Sequence, residues 1–465
     1  MADARAKVLI IFGGGWATDF GPVFPTPPRD GVLNLPYLVR AENVLYELDG
    51  APRKVGGTTR INTTAASTLY GFHDAWFQGT AGSEVQLQVA YAGTTLLSMS
   101  ALDGTWTTRL TGLEDAKHPC FEMFKGTNAS EILIFSTTST VDAPRRMNSA
   151  GTVAALGGSP PQFSFQHKHQ NRLWAAGVAT APSRLYYSES LDPETWSGGG
   201  AGSLDIDPGD GDRITGLASH KNELIVFKGP NRLSIHRITG ASPSTFARVP
   251  FVDGVGSVNH TSIFRVNDDL VFCDPRGVHS LTATAAFGDY VEAFLSRPIL
   301  RAYQADLNLN AMSTIWGVNY QGRGIALWTL PGSGGTAKNR YFVYDYRFQP
   351  GRWALWTGYQ AANCLGTITN ATTRQRLAYA GDVSGFLYQL NANNQSVTNG
   401  ATAYTYKVTT PFLNFGSSAM MKNAVHGFLS AAPKGTYNTT FGWTRDVNAE
   451  QTVLVNQAGA ASTLG

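Results

Sequence analysis

Short apolar runs alternate with turn clusters over most of the chain, and the stretch 163–240 shows this pattern most clearly. Leu224, Val226 and Phe227 belong to one apolar run, which predicts the buried core of a strand. Residues 232–238 alternate polar and apolar side chains, a period typical of a strand with one solvated face. The helical spacing i, i+3, i+4, i+7 does not occur in this stretch. We therefore predict four or five antiparallel strands here, each long enough to cross one small sheet.

A strand, a turn containing aspartate and a tryptophan follow one another at three places, in residues 97–106, 186–196 and 342–353. Units of this kind, recurring over several hundred residues, are typical of a β-propeller, in which small sheets surround an axis. The repeat is too irregular to give the number of blades, and two stacked β-sandwiches remain an alternative. In either case, residues 65–400 should be all-β, with almost no helix longer than two turns.

The two ends of the chain differ from this body. Residues 16–28 are rich in proline, which lacks the N–H needed to pair on both sides in a sheet. We predict that residues 1–64 form an N-terminal arm and platform segment, that 65–400 form the β-propeller, and that 401–465 form a C-terminal β domain. The predicted fold class is therefore all-β, a β-propeller with a smaller β platform formed by the arm and the C-terminal domain.

Composition agrees with a sheet protein that has many tight turns. The 465 residues include 50 glycines, 11% aromatic residues and only 15% charged residues, whereas disorder requires low hydrophobicity and high charge. The 36 basic and 33 acidic residues give a net charge of +3, and no basic run is longer than a pair. The sequence therefore does not predict a basic face that grips nucleic acid.

Cysteine usage and the N-terminus indicate the compartment. Cys120, Cys273 and Cys364 are odd in number and far apart, which argues against a Cys-x-x-Cys motif and against a disulfide framework. We infer synthesis in a reducing compartment. The apolar run 8–12 is too short for the core of a signal peptide or for a membrane span, and no later run approaches the length of a membrane helix, so we predict no membrane-spanning segment.

Four aspartates, Asp205, Asp207, Asp210 and Asp212, form the densest cluster of possible ligands. A calcium loop of the EF-hand type needs oxygen ligands at positions 1, 3 and 5 and glycine at position 6. Counting from Asp205 places Gly209 at position 5 and Asp210 at position 6, so the pattern does not match. We favour a turn whose aspartates accept hydrogen bonds from their own backbone.

Three other motifs also favour a structural interpretation. Residues 190–196 approach the Asp-box, a turn motif of sialidase-like propellers, but are one residue short and lack its glycine. His167 and His169 should share one face of a strand, but no third metal ligand follows at motif spacing. Residues 13–15 are three glycines without the Gly-Lys-Ser/Thr of a phosphate loop, which indicates a hinge. We therefore predict no catalytic, cofactor-binding or metal-binding residues, no cofactor and no enzymatic activity.

Several short motifs follow one another in a characteristic order. They are Asn43–Gly50, Arg53–Val55, Asn171–Trp174, Pro182–Ser188, Asp192–Trp196, Asp207–Leu217, Leu224–Lys228 and Gly277–Val278. In this order, over residues 10–400, the chain resembles the tail nozzle proteins of short-tailed bacteriophages, also called tail tubular protein B or packaged-DNA stabilisation protein.

The resemblance implies a structural protein of the virion tail, synthesised in the host cytoplasm. It implies a propeller with a platform, assembled as a homo-oligomeric ring, commonly a hexamer, below the head-to-tail adaptor proteins. The ring would enclose the channel for DNA ejection, retain the packaged genome and support tail fibre or spike proteins. Double-stranded DNA would pass through without sequence-specific binding, which agrees with the dispersed basic residues.

A carbohydrate-binding or sialidase-like propeller acting on host surface glycans is the alternative hypothesis. Exposed aromatic side chains would stack on sugars in such a protein. The lack of a recognisable signal peptide and of a recognisable carboxylate pair argues against it.

Overall fold

The structure is a computed structural model. It describes residues 9–11, 15, 17, 32–34, 37–48, 50–78, 84–128, 130–287, 294–392, 396–397, 402–410, 437–443 and 451–457. Compact packing divides the chain into two units, Met1–Gly416 and Ser417–Gly465. The predicted extended conformation of residues 18–28 and the predicted hinge at 13–14 lie outside the described residues.

Six short strands precede the first complete sheet. They are β1 (Leu9–Ile11), β2 (Val32–Asn34), β3 (Arg40–Glu42), β4 (Val44–Tyr46), β5 (Pro52–Lys54) and β6 (Gly57–Arg60). Strands β1 and β2 pair in parallel, and β4 and β5 form an antiparallel hairpin.

The next four sheets each have four antiparallel strands in chain order. The first comprises β7 (Leu69–Gln78), β8 (Glu84–Ala92), β9 (Thr95–Ser100) and β10 (Thr107–Leu110). The second comprises β11 (Pro119–Phe124), β12 (Ile132–Thr137), β13 (Arg145–Met147) and β14 (Val153–Ala155). The third comprises β15 (Phe165–His169), β16 (Arg172–Ala176), β17 (Arg184–Tyr187) and β18 (Gly202–Asp205). The fourth comprises β19 (Arg213–His220), β20 (Glu223–Gly229), β21 (Ser234–Thr239) and β22 (Ala247–Asp253).

Three further sheets complete a ring of seven. The fifth has three strands, β23 (Phe264–Val266), β24 (Asp269–Asp274) and β25 (Gly277–Ser280). The sixth contains β26 (Trp316–Tyr320), β27 (Ile325–Leu330), β28 (Arg340–Asp345) and β29 (Arg352–Trp356). The seventh contains β30 (Ala362–Thr369), β31 (Arg376–Asp382) and β32 (Leu387–Ala392). Neighbouring sheets pack against one another around the ring, most of them through their first strands, so the protein is a β-propeller, as predicted, and it has seven blades.

The two α-helices, α1 (Leu281–Phe287) and α2 (Leu300–Asp306), are short and lie between blades five and six, as do the 3₁₀ turns Arg297–Ile299 and Leu309–Thr314. Two further 3₁₀ turns lie elsewhere, His260–Ser262 before blade five and Gln321–Arg323 between β26 and β27. Each α-helix in the described part of the chain has seven residues, which confirms the prediction of helices no longer than two turns. None of the helices described is long and apolar enough to cross a membrane.

Among the described residues blade five has three strands, and Ser296, in the segment after α1, covers the edge of β25. The Ser296 hydroxyl accepts a hydrogen bond from the Val278 N–H at 2.9 Å, and the Ser296 N–H donates to the Val278 carbonyl at 3.3 Å. These bonds satisfy a strand edge that would otherwise be open to pairing.

Segments from both ends of the chain extend blades six and seven. Strand β3 lies parallel to β29 at the edge of blade six and pairs on its other side with β35 (Lys407–Thr409). Two short strands, β33 (Ser396–Val397) and β34 (Thr402–Ala403), pair just before β35. In the second unit, β36 (Tyr437–Trp443) and β37 (Gln451–Gln457) form an antiparallel hairpin.

Strand β6 closes the ring by serving as the fourth strand of blade seven. It pairs antiparallel with β32, with Arg60 opposite Tyr388 and Thr59 opposite Gln389. The blade that ends at residue 392 is thus completed by residues near the start of the chain, which joins the last blade to the first.

Asn62 fixes this closure just beyond β6. Its side chain is fully buried. The Nδ2 group donates to the carbonyls of Thr64 and Gly385 at 2.7 and 2.9 Å, and Oδ1 accepts from the Leu387 N–H at 2.7 Å. One amide therefore connects the chain leaving β6 to the hairpin between β31 and β32.

The structure explains where the sequence pattern succeeded and where it did not. The stretch 163–240 holds seven strands in two blades, where four or five strands were predicted. One of the seven is β18, which follows the glycine-rich segment after Trp196. Leu224, Val226 and Phe227 are fully buried, as predicted. The solvated face predicted for residues 232–238 is wrong, since Ser234 and His236 are 8% and 1% exposed. Neighbouring blades cover both faces of each sheet. The alternation of polar and apolar residues along a strand therefore does not indicate a solvent-exposed face in this protein.

The three strand–turn–tryptophan units occupy equivalent places. They begin in β9, β17 and β28, which are the third strands of blades one, three and six. The repeat therefore marks the passage from the third strand toward the outer edge of a blade, and the propeller interpretation of that repeat is confirmed.

We expect the substitution Asn62→Ala to lower the free energy of unfolding by about 2–4 kcal/mol, because the Leu387 N–H and the Thr64 carbonyl lose this partner and the Gly385 carbonyl keeps only its bond from the Ala66 N–H. Denaturant unfolding measures this change. The matched control is Asn222→Ala, at an exposed hairpin tip where the backbone carbonyl retains its bond from Gln170. Equal stability of the two variants would contradict the role of Asn62 in ring closure.

Candidate functional site in the axial channel

The first strands of the blades surround an axial channel that contains a cavity of about 450 Å³. Blades one, two, six and seven contribute to its wall, together with the segment that joins blades four and five. Aromatic side chains and imidazoles alternate there, among them Phe72, His73, Phe121, His260 and Trp316. A cavity of this size and mixed lining has the dimensions of a small-molecule site.

A continuous series of polar contacts crosses the channel wall beside this cavity. Glu122 Oε2 lies 3.4 Å from His167 Nδ1. His167 Nε2 lies 2.9 Å from Ser219 Oγ, and His169 Nδ1 lies 2.9 Å from the same oxygen. A carboxylate, two imidazoles and a hydroxyl are therefore joined in one chain of contacts.

Three adjacent inner strands position these groups. Glu122 lies on β11, both histidines lie on β15, and Ser219 lies on β19. Because side chains alternate along a strand, residues 167 and 169 point the same way and reach the same hydroxyl. The prediction that His167 and His169 share one strand face is confirmed by this common contact.

The carboxylate of Glu122 is held in its ionised form. Burial alone would raise its pKa, but the hydrogen bond and charge of His167 lower the pKa below its usual value. A backbone hydrogen bond from Lys168 acts in the same direction. When the His167 ring is neutral, an ionised acceptor at Glu122 favours its proton on Nδ1, which leaves Nε2 as the acceptor for Ser219.

The other imidazoles of the channel are kept neutral. Burial, with a smaller contribution from the nearby His167, lowers the pKa of His169 to about 4. Burial likewise lowers the pKa of His260 to about 4 and lowers that of His73. His260 also accepts a hydrogen bond from the Leu217 N–H at 3.3 Å, so its place in the wall is fixed.

Asp74 is a structural anchor of the channel, although it lines the cavity. Its Oδ1 accepts from the amides of Gln86 and Gln88 at 2.7 and 3.1 Å. Its Oδ2 accepts from Trp76 Nε1 at 2.9 Å and from the Thr369 N–H at 2.8 Å. With four donors this carboxylate is saturated, and its contacts join blade one to blade seven.

Two members of the aspartate cluster predicted from the sequence, Asp207 and Asp210, contact a buried lysine. Lys228 is fully buried, and its ammonium donates to the carbonyls of Ile206 and Asp207 at 2.7 and 2.8 Å and to Asp210 Oδ2 at 2.6 Å. Asp210 Oδ1 accepts from the Asp212 N–H at 2.9 Å, as the turn interpretation predicts. The ammonium of Lys228 thus takes the central position that a cation would hold in a calcium loop.

Asp212 and Asp205 have separate structural contacts. The Asp212 carboxylate accepts from three consecutive backbone N–H groups, those of residues 231–233, at 2.7–3.0 Å. Asp205 pairs with Arg184 across β17 and β18 at 2.7 Å. No group of three or more histidine, cysteine, aspartate or glutamate side chains within the described ranges is arranged to hold a metal ion.

The segment that approaches an Asp-box is a turn. Asp192 accepts from the Glu194 N–H at 2.9 Å and from the Thr195 hydroxyl at 2.8 Å. Glu194 in turn pairs with Arg146 of blade two at 2.7 Å. This motif therefore contributes to packing between blades, and it lies apart from the series of contacts in the channel.

Sequence reasoning missed Glu122 and Ser219 as partners of the two histidines. They lie 45 residues before and 52 residues after His167, on other strands, so no local spacing connects them. The sequence feature that pointed to this group was the pair His167 and His169 on one strand. That pair does not indicate which residues of other strands the two imidazoles contact.

No protein-family model and no curated protein matches the chain. Similar solved structures include the Cps50 (Swd1) β-propeller domain of Myceliophteria thermophila, with 8% identity and a TM-score of 0.45, covering 72% of this chain and 99% of that chain. A gluconolactonase from Xanthomonas campestris has 11% identity and a TM-score of 0.34, covering 73% and 98%. BamB from Moraxella catarrhalis has 11% identity and a TM-score of 0.38, covering 72% and 97%. Likenesses this distant carry no functional argument.

We expect Lys228→Met to destabilise the fold by about 3–5 kcal/mol, because it leaves the Asp210 carboxylate and two carbonyls without their donor. Denaturant unfolding gives the value. Lys221→Met, at an exposed turn next to β20, is the matched control and should be close to wild type. A Lys228 variant as stable as this control would show that the ammonium does not hold the aspartate turn.

The lowered pKa of His260 predicts a specific acid sensitivity. Between pH 6.5 and 4 the unfolded imidazole binds a proton that the folded one resists, so the free energy of unfolding falls as the pH falls. This residue should contribute a loss of up to about 3 kcal/mol by pH 4. Unfolding measured from pH 7.5 to 4 should therefore decline less steeply in His260→Gln than in wild type. Parallel profiles would contradict the prediction.

Proposed function

We propose that this chain is a structural component of a bacteriophage tail, a nozzle that forms a homo-oligomeric ring below the head-to-tail adaptor. The ring encloses the channel through which the genome leaves, retains the packaged DNA and supports tail fibres or spikes. The support for this proposal is the ordered set of motifs that the chain shares with tail nozzle proteins, combined with a propeller fold.

The single observation that carries the proposal is that these motifs contact one another. Lys228, at the end of the motif 224–228, donates to Asp207 and Asp210 in the motif 207–217. Ile214 in that motif donates its N–H to Pro182, the first residue of the motif 182–188, at 2.9 Å. Residues that contact one another in this way are expected to occur in the same protein. The full set of motifs in this order therefore supports the resemblance more strongly than any single motif does.

Charge is consistent with a channel for DNA. The 36 basic residues are dispersed among 33 acidic ones, and several of them are engaged in structural pairs, among them Arg146, Arg184 and Lys228. Each lysine or arginine that neutralises a phosphate adds affinity, and ring symmetry would multiply the effect. A lumen that lets DNA slide should therefore be neutral or acidic.

Purified full-length protein should assemble into rings of about six copies with a central hole, as homo-oligomers with closed cyclic symmetry do. Light scattering measures the mass, and negative-stain imaging shows the hole. A monomer that is retained on a glycan column would contradict the nozzle proposal and would support the carbohydrate-binding alternative.

The rings should bind double-stranded DNA weakly and without sequence preference, because the lumen is proposed to carry few unpaired basic groups. Fluorescence anisotropy with a labelled duplex at low and physiological salt measures this binding. Tight binding that weakens steeply with salt would overturn the proposed neutral or acidic lumen.

A further inference from the structure

We propose that Ser219, His167 and Glu122 form a hydrolytic triad that cleaves small carboxylic esters in the axial channel. This activity is separate from the proposed role in a tail and does not depend on ring formation. The inference rests on the order of contacts across three inner strands, from a carboxylate through an imidazole to a hydroxyl.

The distances meet the geometric requirement for an activated serine. The nucleophile and base are 2.9 Å apart, from Ser219 Oγ to His167 Nε2. The carboxylate contacts the other ring nitrogen, with Glu122 Oε2 3.4 Å from Nδ1. Each ring nitrogen of His167 thus has the partner that its role requires, since the carboxylate fixes the tautomer and leaves Nε2 to accept the serine proton.

His169 adds a second contact to the nucleophile. Its Nδ1 lies 2.9 Å from Ser219 Oγ, on the same oxygen that faces His167. With the Ser219 proton directed to His167, the remaining arrangement is donation from His169 Nδ1 to Oγ. That donor stabilises the negative charge that develops on Oγ as the proton leaves. We therefore assign His169 as a positioning residue for the nucleophile.

The group is accessible to a substrate from the channel. Side-chain exposure is 23% for Glu122 and 27% for His167, and Ser219 is also partly exposed. The cavity does not include the three side chains themselves, but its wall includes His260, which lies close enough to His167 and Glu122 for both to act on its pKa. Its volume of about 450 Å³ and its aromatic rings suit an ester with a small apolar or sugar-like alcohol part.

The reaction consumes one water and needs no other reactant. Ser219 Oγ attacks the ester carbonyl carbon while its proton passes to His167 Nε2. The carbon–oxygen bond to the alcohol then breaks, and the alcohol leaves with that proton, which gives an acyl-serine. Water attacks the acyl carbon and loses a proton to His167. The bond between that carbon and Ser219 Oγ then breaks, His167 returns the proton to Oγ, and the carboxylic acid is released.

A second serine–histidine pair shows that the contact alone does not make a triad. Ser234 Oγ lies 3.0 Å from His236 Nε2, but both side chains are buried. The carboxylate of Asp207 approaches the same Nε2 at 3.8 Å, and Nδ1 has no hydrogen-bond partner among the described residues. This pair is not accessible to a substrate, and its imidazole has no carboxylate on Nδ1. Ser234 is therefore a matched control for Ser219.

The first test is covalent labelling of the full-length protein with a fluorophosphonate, which reacts with activated serines. We expect an adduct on Ser219 by peptide mass spectrometry in wild type and in Ser234→Ala, and no adduct in Ser219→Ala. Circular dichroism and the thermal midpoint of each variant confirm that it is folded. No labelling of folded wild-type protein, or labelling at another serine alone, would overturn the proposal.

The second test is hydrolysis of p-nitrophenyl acetate. Wild type should release a burst of nitrophenol followed by steady turnover, and Ser219→Ala should lose the burst. Glu122→Gln, which favours the wrong tautomer of His167, should lower turnover by about 10²- to 10⁴-fold. Turnover that is unchanged in folded Ser219→Ala would contradict the triad. Cleavage of a p-nitrophenyl glycoside but not of the acetate would reject an ester substrate.

Discussion

The pairing of β6 with β32 is the constraint on which the rest of the propeller depends. Every other blade completes its sheet from consecutive strands or, in blade five, covers its edge with the following segment. Blade seven instead needs a strand from residues 57–60, more than 300 residues away in sequence. If this pairing is lost, β32 becomes an open edge and the contact of β7 with β30 loses its support. The geometry of the axial channel, which needs all inner strands in place, follows from this closure.

Radial packing also explains why so many polar residues are buried. Because each sheet has a neighbour on both faces, a polar side chain on either face must find a partner inside the protein. Asp74 meets this requirement with four donors, Lys228 with two carbonyls and a carboxylate, and Asn62 with three backbone groups. These residues join strands that lie far apart in sequence, so the same contacts that satisfy buried polarity also fix one blade against the next. The contacts that join Glu122, the two histidines and Ser219 arise for the same reason, but these side chains face the channel.

The sequence predicted the features that depend on local pattern. The apolar run around Leu224 and the strand–turn–tryptophan units predict strands and a propeller, and the placement of His167 and His169 on one face follows from the period of a strand. Features that depend on assembly were not accessible in this way. The closure by β6, the number of blades, the burial of His236 and the contacts of Ser219 with His167 all arise when separate sheets meet. The aspartate turn was predicted only in part. Its spacing excluded an EF-hand, but the sequence could not reveal that the Lys228 ammonium donates hydrogen bonds to Asp207 and Asp210.

The distance in sequence between β6 and β32 has a consequence for synthesis. At ribosomal rates of 5–20 residues per second, the interval between the emergence of Arg60 and that of Ala392 is roughly 15–65 seconds. During this time blades one to six can form in order, but the strand that completes the ring has no partner. A nascent chain therefore carries an unpaired strand near its start until almost the entire propeller has left the ribosome. The chain is exposed during that interval to pairing with a neighbouring nascent chain on the same message, an exchange that would link two copies through their seventh blades.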